Sequence, residues 1–213
     1  PVQAQDVVHV DVNVNDGLVV HYPFDEPGVS FARPATGSQT AAMGDNADMA
    51  FGPVPGSLFE SFVDFADTGV LRLDGDDDRA EIPDIAAMNV ITNFTVALWA
   101  KRDITNTYDA LYSSGDQPGQ FWYFIGGGGS VFNRFGVGRR GVLEVKNTVG
   151  ISDTNWHHYA AVIGPSTAGN NVTLYLDGVQ VGIGAIGVIS KPVGTKNVGD
   201  LREGGAFIAG LDG

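Results

Sequence analysis

The chain has 213 residues, 43% of them hydrophobic, so it is long enough to bury one sizeable core. Its 12 basic and 25 acidic residues give a formal net charge of −13, which excludes nucleic acid and anionic membrane surfaces as partners. Cysteine is absent, which excludes disulfides, thiolate metal sites and cysteine nucleophiles. No run of about 18 apolar residues occurs, so the sequence predicts no membrane insertion.

Short runs with period-two alternation follow one another along the chain. The first places valines at alternate positions: Val8, Val10, Val12 and Val14. Pro27–Pro55 lacks periodicity and is rich in turn residues, so a long surface loop is predicted there. Asp177-Gly178 joins two further runs and is a strong hairpin signal. The other strand-like runs are 18–24, 59–65, 70–73, 94–101, 121–125, 134–137, 156–163 and 172–176.

The fold class follows from these runs and from the residues between them. Thirty glycines and ten prolines leave hardly any window for a helix. About a dozen short strands separated by turn signals are typical of a sandwich or jelly roll. The sequence therefore predicts an all-β fold with two antiparallel sheets packed face to face.

Four segments in the same order resemble the laminin-G-like, concanavalin-A-like jelly-roll family. They are residues 16–26, 71–83, 94–101, and the pair of runs 156–162 and 172–178. The resemblance covers nearly the whole chain after residue 15. It implies a β-sandwich that binds carbohydrate or protein without catalysis, often with one structural Ca²⁺.

The two ends of the chain depart from this family pattern. The family usually finishes with an Ile-Asp-Asp-Val-Arg-Ile-Tyr-like strand, and the sequence given stops about where that strand should begin. Residues 1–15 form an additional strand-like extension before a jelly-roll domain over residues 16–213. The sequence leaves three explanations open. The chain is a fragment, the extension folds back as a permuted last strand, or its four alternating valines complete a neighbouring subunit by strand exchange.

Aspartates are the candidate Ca²⁺ ligands, because hard cations prefer carboxylate oxygens. Residues 74–78 form an acidic loop, but the EF-hand pattern is absent, since position 85 is Ile. The resemblance instead implies Asp25 and Asp212 as ligands, with Asp6 added if the extension replaces the missing strand. The alternative is that all three are solvated turn residues.

No catalytic centre is predicted. Glu81 and Asp84 are three residues apart with Pro83 between them, so they point to opposite faces and do not form the carboxylate pair of a retaining glycosidase. His157 and His158 are adjacent on a strand, so their side chains diverge and cannot hold one metal ion together.

Aromatic residues around 121–125 suggest a carbohydrate-binding platform. Trp122 and Tyr123 occupy opposite faces of this strand, so we expect one of them to face outward. Core packing is the alternative for each ring. The residues predicted to complete the platform are Tyr108, Tyr112, Arg134 and Arg139.

Taken with the resemblance, the sequence predicts a secreted, extracellular, non-catalytic binding or adhesion module, of bacterial source. Its expected partner is a carbohydrate or a surface protein, and Ca²⁺ is the expected cofactor. One alternative is a structural subunit of an extracellular filament assembled by strand exchange. A weaker alternative is an accessory domain of a polysaccharide-degrading enzyme.

Overall fold

The computed structural model describes residues 31–32, 41–44, 48–50, 70–73, 78–84, 93–105, 108–114, 121–125, 133–139, 143–148, 150–165, 169–187, 196–203 and 206–210. Every regular element among them is a strand. Within these ranges no helix is long and apolar enough to span a membrane. The strands are β1 (Phe31–Ala32), β2 (Ala41–Gly44), β3 (Asp48–Ala50), β4 (Val70–Arg72), β5 (Arg79–Ile82), β6 (Phe94–Ala100), β7 (Asp109–Ser114), β8 (Phe121–Ile125), β9 (Phe135–Arg139), β10 (Leu143–Lys146), β11 (His157–Ile163), β12 (Val172–Leu176), β13 (Val179–Gly184), β14 (Lys196–Val198), β15 (Asp200–Glu203) and β16 (Ala206–Gly210).

Most strands belong to two antiparallel sheets. The larger sheet has eight strands in the order β1-β2-β5-β14-β7-β8-β9-β10. The smaller sheet has four strands in the order β13-β12-β11-β6. Two separate pairs, β3–β4 and β15–β16, complete the described strands. The prediction of an all-β antiparallel sandwich is confirmed.

The core lies between the two sheets. Alternate residues of β11 and β12 point inward, and Tyr159, Ile163 and Leu174 are each at most 1% exposed. They meet side chains from the larger sheet, where the ring centroids of Phe135 and Tyr159 are 5.2 Å apart. Packing two sheets face to face buries one side of each strand. The residues that alternate with a period of two in β11 and β12 are therefore the ones that form the core.

The β12–β13 hairpin follows its turn signal. Asp177 and Gly178 have φ angles of 50° and 78°, the left-handed pair that a type I′ turn requires. Gly178 adopts this conformation without a side-chain penalty. The hairpin predicted at Asp177-Gly178 is confirmed.

The region Pro27–Pro55 differs from the prediction. The described residues within it form β1, β2 and β3, and β2 pairs with β5 through three residues. For these described residues, the prediction of a long surface loop is therefore wrong. Backbone pairing with β5 needs no apolar alternation, so the strand Ala41–Gly44 gave no sequence signal.

After β14, the chain leaves the larger sheet and forms a separate two-stranded hairpin. β14 lies between β5 and β7, and Gly199 follows it with a φ of +85°. A Cβ atom at Gly199 would lie 2.2 Å from Leu73 Cδ1, so only glycine fits there. The chain then forms the β15–β16 hairpin, which contacts β7.

The predicted extension at residues 1–15, with Val8, Val10, Val12 and Val14, lies outside the described residues.

Candidate functional site

Two tyrosines of the predicted carbohydrate platform are in the core. Tyr123 is 0% exposed and packs edge-on against Phe135 at a centroid distance of 5.3 Å. Tyr112 is its cross-strand neighbour on β7 and is 7% exposed. Burial raises the pKa of both hydroxyls far above their ordinary value. The prediction that Tyr112 and Tyr123 bind sugar is therefore wrong, because their rings pack between the sheets.

Two further members of that platform, Tyr108 and Arg134, have described side chains, and each makes contacts of its own. Tyr108 is half-buried and packs beside Ala110 and Leu201. Arg134 is half-buried and donates to the Asn147 carbonyl oxygen at 2.7 Å, so it links two loops. The predicted residues Trp122 and Arg139 lie on β8 and β9, where their register partners are Gly138 and Phe121, and their side chains are outside the described part of the structure.

The outer side of β7 is covered by the β15–β16 hairpin. Ser113 Oγ donates to the Asp200 carbonyl oxygen at 2.8 Å, and both residues are 0% exposed. Leu201 packs on Ala110 and is also 0% exposed. A ligand approaching the larger sheet at β7 would therefore meet this hairpin first.

The predicted metal ligands, Asp25, Asp212 and Asp6, all lie outside the described residues. Across the described ranges, no group of three or more His, Asp or Glu side chains is arranged to hold a metal ion.

The two acids considered for catalysis each lie against a cation. Glu81 pairs with Arg79 at 3.4 Å, and Asp84 pairs with buried Lys196 at 2.7 Å.

At one end of the smaller sheet, a histidine side chain lies between two aspartate side chains. His157 Nδ1 lies 2.7 Å from Asp177 Oδ2, and His157 Nε2 lies 2.9 Å from Asp153 Oδ1. Asp177 also accepts the backbone N–H of His158 at 2.9 Å. Burial opposes protonation of the imidazole, but the hydrogen bonds to Asp177 and Asp153 outweigh it, and the pKa of His157 is raised. The arrangement holds the β12–β13 turn against β11.

The outer side of the smaller sheet carries a second set of aromatic residues. Because strand side chains alternate, the residues between the core positions face away from the sandwich. We call this surface the uncharged face. It consists of Thr95, Ala97, Trp99, His158, Ala160, Val162, Thr173, Tyr175, Gln180 and Ile183.

Strand register orders the uncharged face into rows. Val162 and Ile183, 40% and 56% exposed, lie on either side of Thr173 in one row. The next row runs from Ala97 through Ala160 to Tyr175 and Gln180. In the third row Trp99 pairs with His158, with ring centroids 5.2 Å apart and planes tilted by 51°. Apolar, aromatic and hydrogen-bonding groups are thus mixed on one side of this sheet.

No fixed charge occurs on this face. None of β6, β11, β12 and β13, all of which are described completely, contains Asp, Glu, Lys or Arg. Burial lowers the pKa of His158, against a smaller opposing effect of Asp177, so the imidazole is neutral at pH 7. In a chain of net charge −13, a charge-free sheet is a distinct surface.

Sequence reasoning missed this surface. Phe94, Val96 and Leu98 alternate in an apolar run, so the sequence does not show that Trp99 faces outward. Those three residues pack against the core, whereas Trp99 is in register with His158 on the opposite side. The absence of charged residues from 94–100, 157–163, 172–176 and 179–184 was the available signal.

Two comparisons with known proteins give a match. The model described as the concanavalin A-like lectin/glucanases superfamily, of laminin G type, matches residues 74–211. Among solved structures, domain 4 of AbnA, a GH43 extracellular arabinanase from Geobacillus stearothermophilus in complex with arabinotriose, aligns with a TM-score of 0.58. The sequence identity is 16%, and the alignment covers 91% of this chain and 88% of that domain, so the likeness concerns the fold. No curated protein matches the sequence.

Proposed function

Because the chain belongs to the concanavalin A-like lectin/glucanases superfamily, we propose that it is a non-catalytic module that binds glycans through the uncharged face. The observation that carries this proposal is the charge-free outer surface bearing Trp99, His158 and Tyr175. Aromatic rings offer apolar faces to the C–H groups of sugars, while hydroxyl, amide and imidazole groups can bond to sugar hydroxyls.

Two further observations support a glycan ligand. A laminin-G-type domain is usually a binding module, and the structural neighbour belongs to an extracellular arabinanase and was solved with arabinotriose. We propose that this chain also acts outside the cell, in adhesion to a glycan-bearing surface. A surface protein remains the alternative partner, and it is an outcome of the test below.

The test is a glycan microarray probed with the whole chain, including arabinan oligosaccharides. A matched pair of variants then locates the site. Ile183 lies on the uncharged face, whereas Val179, on the same strand and 65% exposed, pairs with Leu176, which packs against the core. We expect Ile183→Asp to weaken binding at least tenfold, because a bound ligand would desolvate the new carboxylate, and Val179→Asp to leave affinity unchanged.

Trp122→Ala tests the platform predicted from the sequence. If Trp122→Ala abolishes binding while Ile183→Asp does not, the ligand binds at β8 and the uncharged face is not the site. If the whole chain binds no glycan on the array, glycan binding is rejected and a protein partner becomes the better hypothesis.

An accessory role in a polysaccharide-degrading enzyme is a second candidate. The observation that favours it is the structural neighbour, which is one domain of such an enzyme. In this case the complete coding sequence would include a catalytic module before or after this chain, and a complete coding sequence without such a module would reject the idea. Glycan binding by the chain itself is expected in either case.

The filament alternative depends on residues 1–15. We keep it as a proposal with a direct test, because strand donation would require this segment. Deletion of residues 1–15 should convert polymers into monomers if the valines Val8 to Val14 complete a neighbouring subunit. Polymers that persist after the deletion would reject strand exchange.

A further inference from the structure

We infer that the uncharged face binds a neutral glycan chain and discriminates against glycans that carry carboxylate or sulfate groups. This inference rests on the proposed function and adds the chemical class of the ligand. It follows from where the charges of the protein lie, from the kinds of polar group on the face, and from the size of the face.

The electrostatics of the sheet disfavour an anionic sugar. The four strands offer no cation to compensate a carboxylate or sulfate, and the chain as a whole carries a net charge of −13. An anionic ligand would therefore lose hydration on this face and gain no ion pair.

The charged groups at the margin do not change this balance. Beyond the end of β6, Lys101 already pairs with Asp103 at 3.0 Å. Near the Trp99 end, the carboxylate of Asp177 faces His157, which also contacts Asp153. This margin holds two carboxylates around one imidazole, so it too repels an anion. A neutral ligand meets no such repulsion.

The polar groups on the face suit hydroxyl-rich ligands. Thr173 and Tyr175 carry hydroxyls that both donate and accept, and Gln180 carries an amide that does the same. Neutral imidazole on His158 adds one donor and one acceptor. These groups lie beside the exposed apolar side chains of Val162 and Ile183. Such a mixture matches a sugar, which presents hydroxyls at its rim and C–H groups on its faces.

The size of the face favours a glycan over a second protein. Four strands spaced about 4.8 Å apart, and about five residues of about 3.3 Å along each strand, give an area of about 300 Å². A stable protein–protein interface buries about 800 Å² on each partner. The uncharged face is therefore too small to hold a second copy of the chain by itself, whereas a few sugar units would cover it.

The test compares neutral and anionic polysaccharides by affinity electrophoresis and calorimetry, using the whole chain. Arabinan, mannan and mixed-linkage glucan are the neutral probes; polygalacturonate and dextran sulfate are the anionic probes. We expect at least one neutral probe to bind at least tenfold more tightly than either anionic probe. Its affinity should change less than twofold between 0.05 and 0.5 M salt, because no ion pair contributes.

A gain of function makes the test sharper. Ile183→Lys places a cation on the uncharged face and should raise the affinity for polygalacturonate at least threefold, whereas Val179→Lys should not. The inference is overturned if the unmodified chain binds polygalacturonate or dextran sulfate as tightly as any neutral probe. Binding to anionic probes alone would leave glycan binding intact and reject only the neutral class. Binding to no probe, neutral or anionic, would reject both proposals.

Discussion

Substitution of Arg102 tests how the sandwich is held together below the candidate site. Arg102 lies just beyond β6, after Lys101, and its side chain is 1% exposed. Its guanidinium donates to Asp109 Oδ2 at 3.3 Å, to Asn133 Oδ1 at 3.1 Å and to the Ile151 carbonyl oxygen at 2.8 Å. One side chain therefore ties β6 to β7 and to the loops that precede β9 and β11.

The expected effect of Arg102→Met is large. The side chain of Asp109 is only 3% exposed, so losing this cation leaves a buried carboxylate without its guanidinium partner. Removing one member of a buried ion pair costs about 3–5 kcal/mol. For a chain of this size each kcal/mol lowers the melting temperature by about 2–4 °C, so we expect a fall of about 6–20 °C.

The neighbouring residue supplies the control. Lys101 forms an ion pair with Asp103 at 3.0 Å, but both side chains are more than 40% exposed. Lys101→Met should cost about 0–1 kcal/mol, because exposed ion pairs contribute little. Urea unfolding followed by tryptophan fluorescence measures both variants. Free energies of unfolding that agree within about 1 kcal/mol between the two variants would refute the role given to Arg102.

Three further predictions concern stability. Gly199→Ala should destabilise the protein by about 1–3 kcal/mol, because this residue has a positive φ and a Cβ atom there would approach Leu73. The control is Gly169→Ala, which should not destabilise it, since no atom lies within 4 Å of the added Cβ. Equal free energies of unfolding for the two variants would contradict this prediction. Because the pKa of His157 is raised in the folded state, its contribution is complete below the ordinary value of 6.5 and is lost as the pH rises through the folded value. The stability difference between the unmodified chain and His157→Gln should therefore be larger at pH 5.5 than at pH 8.5, by no more than about 1 kcal/mol since Asp177 is half-exposed, and a difference that grows with pH would be the wrong sign. Ca²⁺ remains a proposed cofactor, and if it binds, EDTA should lower the melting temperature; no change would remove it.

The fold was predictable because its signals are local. Alternation over 156–163 and 172–176 anticipated β11 and β12 within one residue at each end. The turn between β12 and β13 needs left-handed residues, and Asp177-Gly178 supplies them. Strands defined by pairing alone were harder to predict. β14 has only three residues and lies in the middle of the larger sheet, held by neighbours far away in the sequence.

The candidate site was predicted poorly because alternation does not say which face is inside. Alternation predicts opposite faces for Trp122 and Tyr123 but does not say which ring is buried. The burial of Tyr123 depends on its contact with Phe135, which only the assembled sheets provide. Trp99 shows the reverse case, since neither face of its strand carries a charged residue. The sequence alone could not separate a core tryptophan from one on an outer sheet surface.

The most direct test of the proposed site is chemical-shift mapping by NMR, with the best-binding neutral oligosaccharide titrated into the whole, isotope-labelled chain. We predict that the largest backbone shifts occur at outward positions of β6, β11, β12 and β13, among them Thr95, His158, Tyr175 and Ile183. Shifts concentrated on β8 and β9 around Trp122 and Arg139, with the smaller sheet unaffected, would contradict the assignment of the uncharged face as the glycan-binding surface.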